Sequence, residues 1–428
     1  MPASGNRRTF LRYAFGLTGS GMGLSLLGAC STPRTYPGES DEACAEEPED
    51  ALDVGLSLSG GGYRAMLFNL GSLWRLNDFG LLRRLDMIAS VSGGSIVNGL
   101  LATRWRDLQF VQGGLGWQAI NFQGEIVEPI RAFARETIDV PSVLERLVLG
   151  SASNQIARQY DEHLYKGRRL QRDVPEFDKG SAPRFLFYST NLQTGSSVRI
   201  ERKRLADYRV GEIQNPDLPV SLVVAASSAF PPFLSPVKLT FDESQWVDRC
   251  GAYLYPYPEF RREVLLTDGG VYDNMATEVI WDRCNTVLVS DAGAPLDATP
   301  SPSTLWISQL RRILDIEAEQ TRALRRRELV AQFTKHKQGH SDARSDRGGT
   351  YWGIKTRIDQ YQVPGALARD STVTHDLRDI PTRLGGFSEQ QQGQLINWGY
   401  ALTDAAIRRW VYEDAPRAAG LPLPAFPL

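Results

Sequence analysis

Residues 52–60, LDVGLSLSG, alternate apolar and small side chains and run into a glycine cluster, the pattern of a strand feeding a tight turn. From Tyr63 to Phe79 the apolar residues Met66, Leu67, Leu70, Trp74 and Leu76 recur at helical spacing, and Gly80 supplies a stop. Residues 85–91, LDMIASV, predict a second strand, followed by an SGGS turn and a helix from Ile96 to about Trp105. A strand–helix–strand–helix series with short connections implies a parallel sheet covered on both faces. Residues 120–175 read as mostly helical, with a break at Val140-Pro141. Strand-like runs return at 184–189, 197–200, 263–267 and 286–290. Residues 305–330 are amphipathic, their apolar face carried by Leu305, Ile307, Leu310, Ile313, Leu314 and Leu324. A last helix is expected over 387–412, before a proline-rich tail.

The first thirty residues have a different character. Arg7, Arg8 and Arg12 precede an apolar stretch from about Tyr13 to Leu27, short for a membrane span of roughly 20 residues. RRTFLR, after Asn6, resembles the bacterial twin-arginine export signal, and LGAC (27–30) resembles a lipoprotein box in which Cys30 becomes the lipidated first residue. Residues 1–29 are thus expected to be a signal peptide. Acyl chains on Cys30 would hold the protein at a membrane surface, and Ser31 matches the outer-membrane sorting pattern, facing the periplasm. Glu39 to Asp53 holds eight acidic residues and no basic one, so 30–51 read as an extended, self-repelling tether. The folded part then divides into an α/β body over 52–294 and a helical extension over 295–428 packed on it.

Composition narrows the chemistry. With 48 Lys and Arg against 50 Asp and Glu, the chain lacks the basic excess of a general nucleic-acid binder. Four histidines (His163, His336, His340, His375) and four cysteines (Cys30, Cys44, Cys250, Cys284) show no metal-site spacing, so neither metal nor cofactor is expected. In an oxidising compartment one pair among Cys44, Cys250 and Cys284 could bridge.

Three glycine-rich turns follow predicted strands, where open α/β sheets place ligand sites. Gly60-Gly61-Gly62 precedes Tyr63 and Arg64 at the start of a helix, so its N–H groups and the helix dipole can converge on an anion. The nucleotide-loop patterns GxxxxGK[ST] and GxGxxG are missing. Ser90-Val91-Ser92-Gly93-Gly94 approximates the nucleophile elbow GxSxG, with Ser90 in the first glycine's place; Ser92 would project its hydroxyl and the Gly93 amide help hold an oxyanion. Asp268-Gly269-Gly270 would supply a base to Ser92.

Together, SGGGYRAM (59–66), the Ser92 turn, TNLQTG (190–195), AASSAFPPFLSPV (225–237) and DGGVYDN (268–274) resemble, in order, the motifs of the patatin-like phospholipase family and its relatives, the cytosolic calcium-dependent phospholipases A. The resemblance implies a three-layer α/β sandwich with a mostly parallel central sheet, and an acyl hydrolase acting on membrane lipid through a Ser92–Asp268 dyad. Gly60, Gly61 and Gly62 amides would hold the oxyanion, each such donor typically contributing roughly 2.7–4 kcal/mol. Arg64 occupies the position that contacts the head-group phosphate in the cytosolic relatives. Phe230, Pro231, Pro232 and Phe233 are candidate walls of an apolar site that raises the basicity of Asp268. The basic run Arg322–Arg357 either faces anionic lipid or forms a solvated helix and loop. Two rival readings stay open: a Ser–His–Asp hydrolase using His336, His340 or His375, and a non-catalytic lipid-binding surface lipoprotein.

Overall fold

The computed structural model describes residues 52–138, 152–231, 234–339 and 347–428, with Tyr36. The expected leader and acylation site at Cys30, the tether apart from Tyr36, Cys44, the Val140-Pro141 break, Pro232, Phe233 and His340 lie outside the described residues.

The strands of the main sheet are β1 (Leu52–Leu58), β2 (Met87–Ser90), β3 (Arg184–Asn191), β4 (Ser197–Glu201), β5 (Arg204–Asp207), β6 (Gly211–Gln214), β7 (Val237–Thr240), β8 (Trp246–Val247), β9 (Glu263–Asp268), β10 (Cys284–Asp291) and β11 (Gly348–Gly353). Their order is β8-β6-β5-β4-β3-β2-β1-β10-β11, with β9 inserted against β3 and carrying β7. β3, β2, β1, β10 and β11 run parallel, and β4 to β9 add antiparallel pairs. The near-continuous apolar runs of β1 and β10 suit strands buried on both faces.

The helices that cover the sheet near the site are α1 (Gly62–Asp78), α2 (Gly93–Arg104), α3 (Val220–Ser227), α4 (Trp306–Lys337) and α5 (Glu389–Trp410). α1 is buried almost all round because α5 lies across it. The two are tied by the buried pair Arg75–Asp404, at 2.6 Å. α5 begins at a capping box, in which the Ser388 hydroxyl accepts the Gln391 N–H.

The segment after 294 contributes more than helices. β11 extends the sheet in parallel beside β10, a strand that the glycine-rich GGTYWG does not announce as alternation. Residues 110–119, beyond the second helix, form a separate two-stranded hairpin. Helix α4 departs further from expectation. Leu329 and Phe333 enter the core beside Leu52, Met87 and Leu186, but Leu305, Leu310, Ile313, Leu314 and Leu324, expected to pack, are all exposed. Some of its basic residues are paired, Arg322 with Glu319, Arg325 with Asp273 and Lys337 with Glu413, as is Arg357 farther on with Asp370. Cys250 is disulfide-bonded and Cys284 is a free, buried thiol, so these two do not bridge each other.

Candidate active site

Two strands deliver the Ser92 turn and Asp268 to one place. β2 pairs with β3 as far as Ser90 opposite Phe187. β9 runs the other way along the same edge of β3 and ends with Asp268 opposite Ser189. The strand ends therefore face each other two residues apart along β3, about 6.6 Å at roughly 3.3 Å per residue. Across that gap the Ser92 hydroxyl acts on the Asp268 carboxyl, favouring its charged form.

Ser92 sits at φ 51° between β2 and α2, a left-handed conformation that non-glycine residues adopt only where the surroundings enforce it. Here Ser227 enforces it: its carbonyl accepts the Ser92 N–H at 3.2 Å and its hydroxyl does so at 3.1 Å. The same carbonyl accepts the Gly269 N–H (3.2 Å), and Ala229 C=O accepts the Asp268 N–H (3.0 Å). One short segment, Ser227–Ala229, thus registers both turns. In the sequence this stretch shows itself only as a run of small residues between apolar ones, which does not announce that work.

Ser90, where the elbow pattern has glycine, is accommodated because every polar demand of its hydroxyl is met. It donates to Leu186 C=O (3.2 Å), accepts from Asn98 Nδ2 (2.9 Å) and shares a bond with Ser95 (2.9 Å). Gly93 is sterically obligatory: a Cβ there would lie 2.1 Å from the Gly62 carbonyl oxygen.

That contact brings the first glycine turn against the elbow. Gly60 is equally close, since a Cβ on it would lie 3.1 Å from Ser92 Cβ and 2.3 Å from Asn274 Oδ1. Its amide, however, donates to the Asn274 carbonyl (3.0 Å). The expectation of Gly60 as an oxyanion donor is corrected on this point: its N–H is already spent on fixing the loop. Gly61, Gly62 and Gly93 stand at the N-terminal ends of α1 and α2, where first-turn amides have no intrahelical acceptor. Asn274, at the end of DGGVYDN, is the residue whose part was missed, because it acts through its main chain.

Arg64 is also corrected. Its side chain is fully buried and does not face a ligand. Nε donates to Ala292 C=O (3.1 Å), one terminal nitrogen to Ile380 C=O and the other to the Thr382 hydroxyl (2.9 Å). Burial, then the nearby Arg322 charge, lowers its pKa to about 10. Arg64 clamps the start of α1 to residues of the C-terminal segment.

The site is nearly closed, with Ser92 8% and Asp268 3% exposed. Burial pushes the Asp268 carboxyl up to about 6, against the opposing pull of the Gly270 N–H (2.7 Å) and the Ser92 hydroxyl. Tyr160 lies close by, its phenol bonded to the Ser228 hydroxyl at 3.0 Å and raised in pKa by burial. Of the expected wall, Phe230 is 48% exposed at the rim. The described histidines lie on other elements: His163 against Phe133, His336 against Gly348 of β11, and His375 beside Arg378 on an exposed helix. Among the described residues no group of three or more His, Cys, Asp or Glu is placed to hold a metal ion. A cavity of about 490 Å³ lined by Arg75, Asp78, Tyr400 and residues 416–422 includes none of these site residues.

A mixed sheet with a parallel centre lies between helices, with a serine on a forced turn and a carboxyl at an opposing strand end, which defines an α/β protein. The chain belongs to the patatin-like phospholipase family, whose model matches residues 56–281. Human GIVD cytosolic phospholipase A2 superimposes with a TM-score of 0.51 at 15% identity, over 83% of this chain and 61% of that one. Its complex with methyl gamma-linolenyl fluorophosphonate gives 0.48 at 16%, over 83% and 57%. A 47-residue stretch is 47% identical to the "Putative meiotic phospholipase SPO1" of Saccharomyces cerevisiae, covering 11% of this chain and 7% of that protein. The chain therefore spans about three fifths of the solved relatives it matches, and a small part of the yeast protein.

Proposed function

We propose that this protein is a lipid acyl hydrolase, cleaving carboxylic ester bonds of membrane lipids through Ser92 and Asp268. The observation that carries the reading is the placement of the Ser92 turn opposite a buried carboxyl whose pKa is pushed up to about 6 by burial. A solvated aspartate is too weak a base for serine; burial moves this one toward the working pH. As Ser92 Oγ attacks the ester carbonyl, Asp268 takes its proton and hands it to the departing alcohol. Water then enters, Asp268 takes a proton from it, and the acyl-enzyme is hydrolysed. The Gly61, Gly62 and Gly93 amides stand ready for the developing oxyanion, with the N-terminal dipoles of α1 and α2 behind them. Both the membership of the family and the absence of a histidine from the Asp268 hydrogen bonds, among the described residues, support a dyad over a triad. An acylated Cys30 would keep the enzyme at the membrane that holds its substrate.

The test is a lipid-class hydrolysis panel with the wild type, Ser92→Ala and Asp268→Asn. Each variant is expected to lose roughly 10²–10⁴-fold in turnover with its fold intact. A folded Ser92→Ala enzyme that still hydrolyses lipid overturns the reading, and so does abolition of activity by replacing a single histidine.

A further inference from the structure

The apolar face of the amino-terminal half of α4 is left exposed to water. Trp306 and residues 308–320 are exposed, with Arg312 and Glu319 only partly covered. Trp306 is 72% exposed, and Leu310, Ile313 and Leu314 are each more than half exposed. Positions 306, 310, 313 and 314 share one helical face, so four large apolar side chains form a stripe in contact with water. A folded chain does not leave such a stripe without use.

The other half of the helix fixes where the stripe lies. Leu329 and Phe333 pack into the core on one face of the sheet. Arg322 reaches Asp291 at the end of β10 (3.8 Å), and Arg325 pairs with Asp273 (2.7 Å), five residues beyond Asp268. β1, β2 and β10 are parallel, so the Gly60 turn, Ser92 and Asp291 all leave the same edge of the sheet. α4 runs along the sheet to that edge and continues past it. Its first fifteen residues, N-terminal to the Arg322 contact at that edge, are roughly 20 Å long at 1.5 Å per residue. Val271 and Phe230, both about half exposed, flank Asp268 there.

We infer that the Trp306–Leu314 face of α4 docks this enzyme onto the surface of a lipid bilayer, beside the mouth of its active site. The inference rests on the lipid-hydrolase reading for its choice of occupant: a site fed from a bilayer must approach it edge first, and this stripe is continuous with that edge. The side-chain chemistry agrees, since tryptophan and leucine opposite Arg311, Arg312, Asp315 and Glu319 form an interfacial helix, with Glu317 closing the C-terminal end of the stripe. Residues 305–320 carry Arg311 and Arg312 against Asp315, Glu317 and Glu319. Docking is therefore apolar, needs no anionic lipid and is insensitive to salt, unlike attraction through a basic patch.

The experiment uses the full chain carrying Cys30→Ala, so that no acyl anchor contributes, and zwitterionic phosphatidylcholine vesicles. Flotation with the vesicles is compared between this protein and the same chain with Trp306→Gln, Leu310→Gln and Ile313→Gln. The triple change should lower vesicle partitioning by at least about tenfold. It should leave turnover of a water-soluble short-chain ester within about twofold and the thermal midpoint unchanged, since these side chains touch neither the core nor Ser92. A parent chain that stays in the aqueous phase, or a triple variant that floats equally well, overturns the inference. So does a parent dimer that the substitutions convert to a monomer without changing flotation, which assigns the stripe to a second copy. Loss of flotation in a protein that never turned over the soluble ester sustains the docking face and places the failure on the catalytic reading instead.

Discussion

Asp268 and Asp291 close strands β9 and β10 and are almost equally buried, at 3% and 4% exposure. Their electrostatic fates are opposite. Asp291 has the Arg322 guanidinium nearby, the Tyr351 hydroxyl at 2.7 Å and the Gly293 N–H at 2.9 Å, and against the cost of burial these hold its carboxyl below the ordinary range. Asp268 has the Gly270 N–H and the Ser92 hydroxyl and, among the described residues, no cation acting on it, and burial pushes it up to about 6. The difference teaches that depth does not make a catalytic base. A buried carboxylate with a cation is a structural group; a buried carboxylate without one is held near neutrality, where it can move a proton.

Removing the cation breaks the contrast most severely. Arg322→Met is expected to destabilise the protein by roughly 3–5 kcal/mol at pH 7, because it leaves Asp291 charged in the interior without the guanidinium that offsets its burial. Denaturant unfolding at several pH values checks it: the loss should shrink as Asp291 takes up a proton on acidification. A loss under about 1 kcal/mol at pH 7 would show that Arg322 is not what sets Asp291 apart.

The next effect lies at Asp268 and has the opposite sign. Its folded pKa exceeds that of the unfolded chain, so between about pH 4 and pH 6 the folded state binds more protons and stability falls as pH rises. Asp268→Asn removes a penalty on the order of 2–4 kcal/mol above pH 6. The variant should be inactive yet melt higher than the wild type at pH 8, the gap closing toward pH 4. A variant that melts lower at pH 8 refutes a strained, uncompensated carboxylate.

The smallest effect is the sharpest in form. Wild-type kcat/KM should climb about tenfold per pH unit up to an inflection near pH 6 and then level off, as the base form of Asp268 fills. Asp291, ionised throughout that window, contributes no inflection. A profile centred near pH 4, the range of an ordinary aspartate, removes burial from the account.

Much of this site was legible in the chain. The strands at 52–58, 87–90, 263–268 and 284–291 announce themselves by apolar runs ending in small residues, and the Ser92 and Asp268 turns by the glycines beside them. Legibility failed where a residue's use depends on a distant partner. Arg64 follows the glycine turn as a phosphate-binding arginine would, yet the carbonyls of Ala292 and Ile380 claim it from more than two hundred residues away. Gly60 reads as an anion-binding glycine, but Asn274 takes its amide. The apolar face of α4 reads as core, and local periodicity cannot say whether another element arrives to cover it.

The order of elements, the placement of a serine and an aspartate on tight turns, and the family itself were determined by local pattern, since strand alternation, helical spacing and glycine turns are written in neighbouring residues. Only the tertiary structure decided that β2 and β9 meet head-on along β3, that Ser227 holds both turns, and that Asp268 is buried without a cation while Asp291 has one. Those are contacts between segments far apart in the chain, and burial, which sets their electrostatics, exists only once the chain has closed around them.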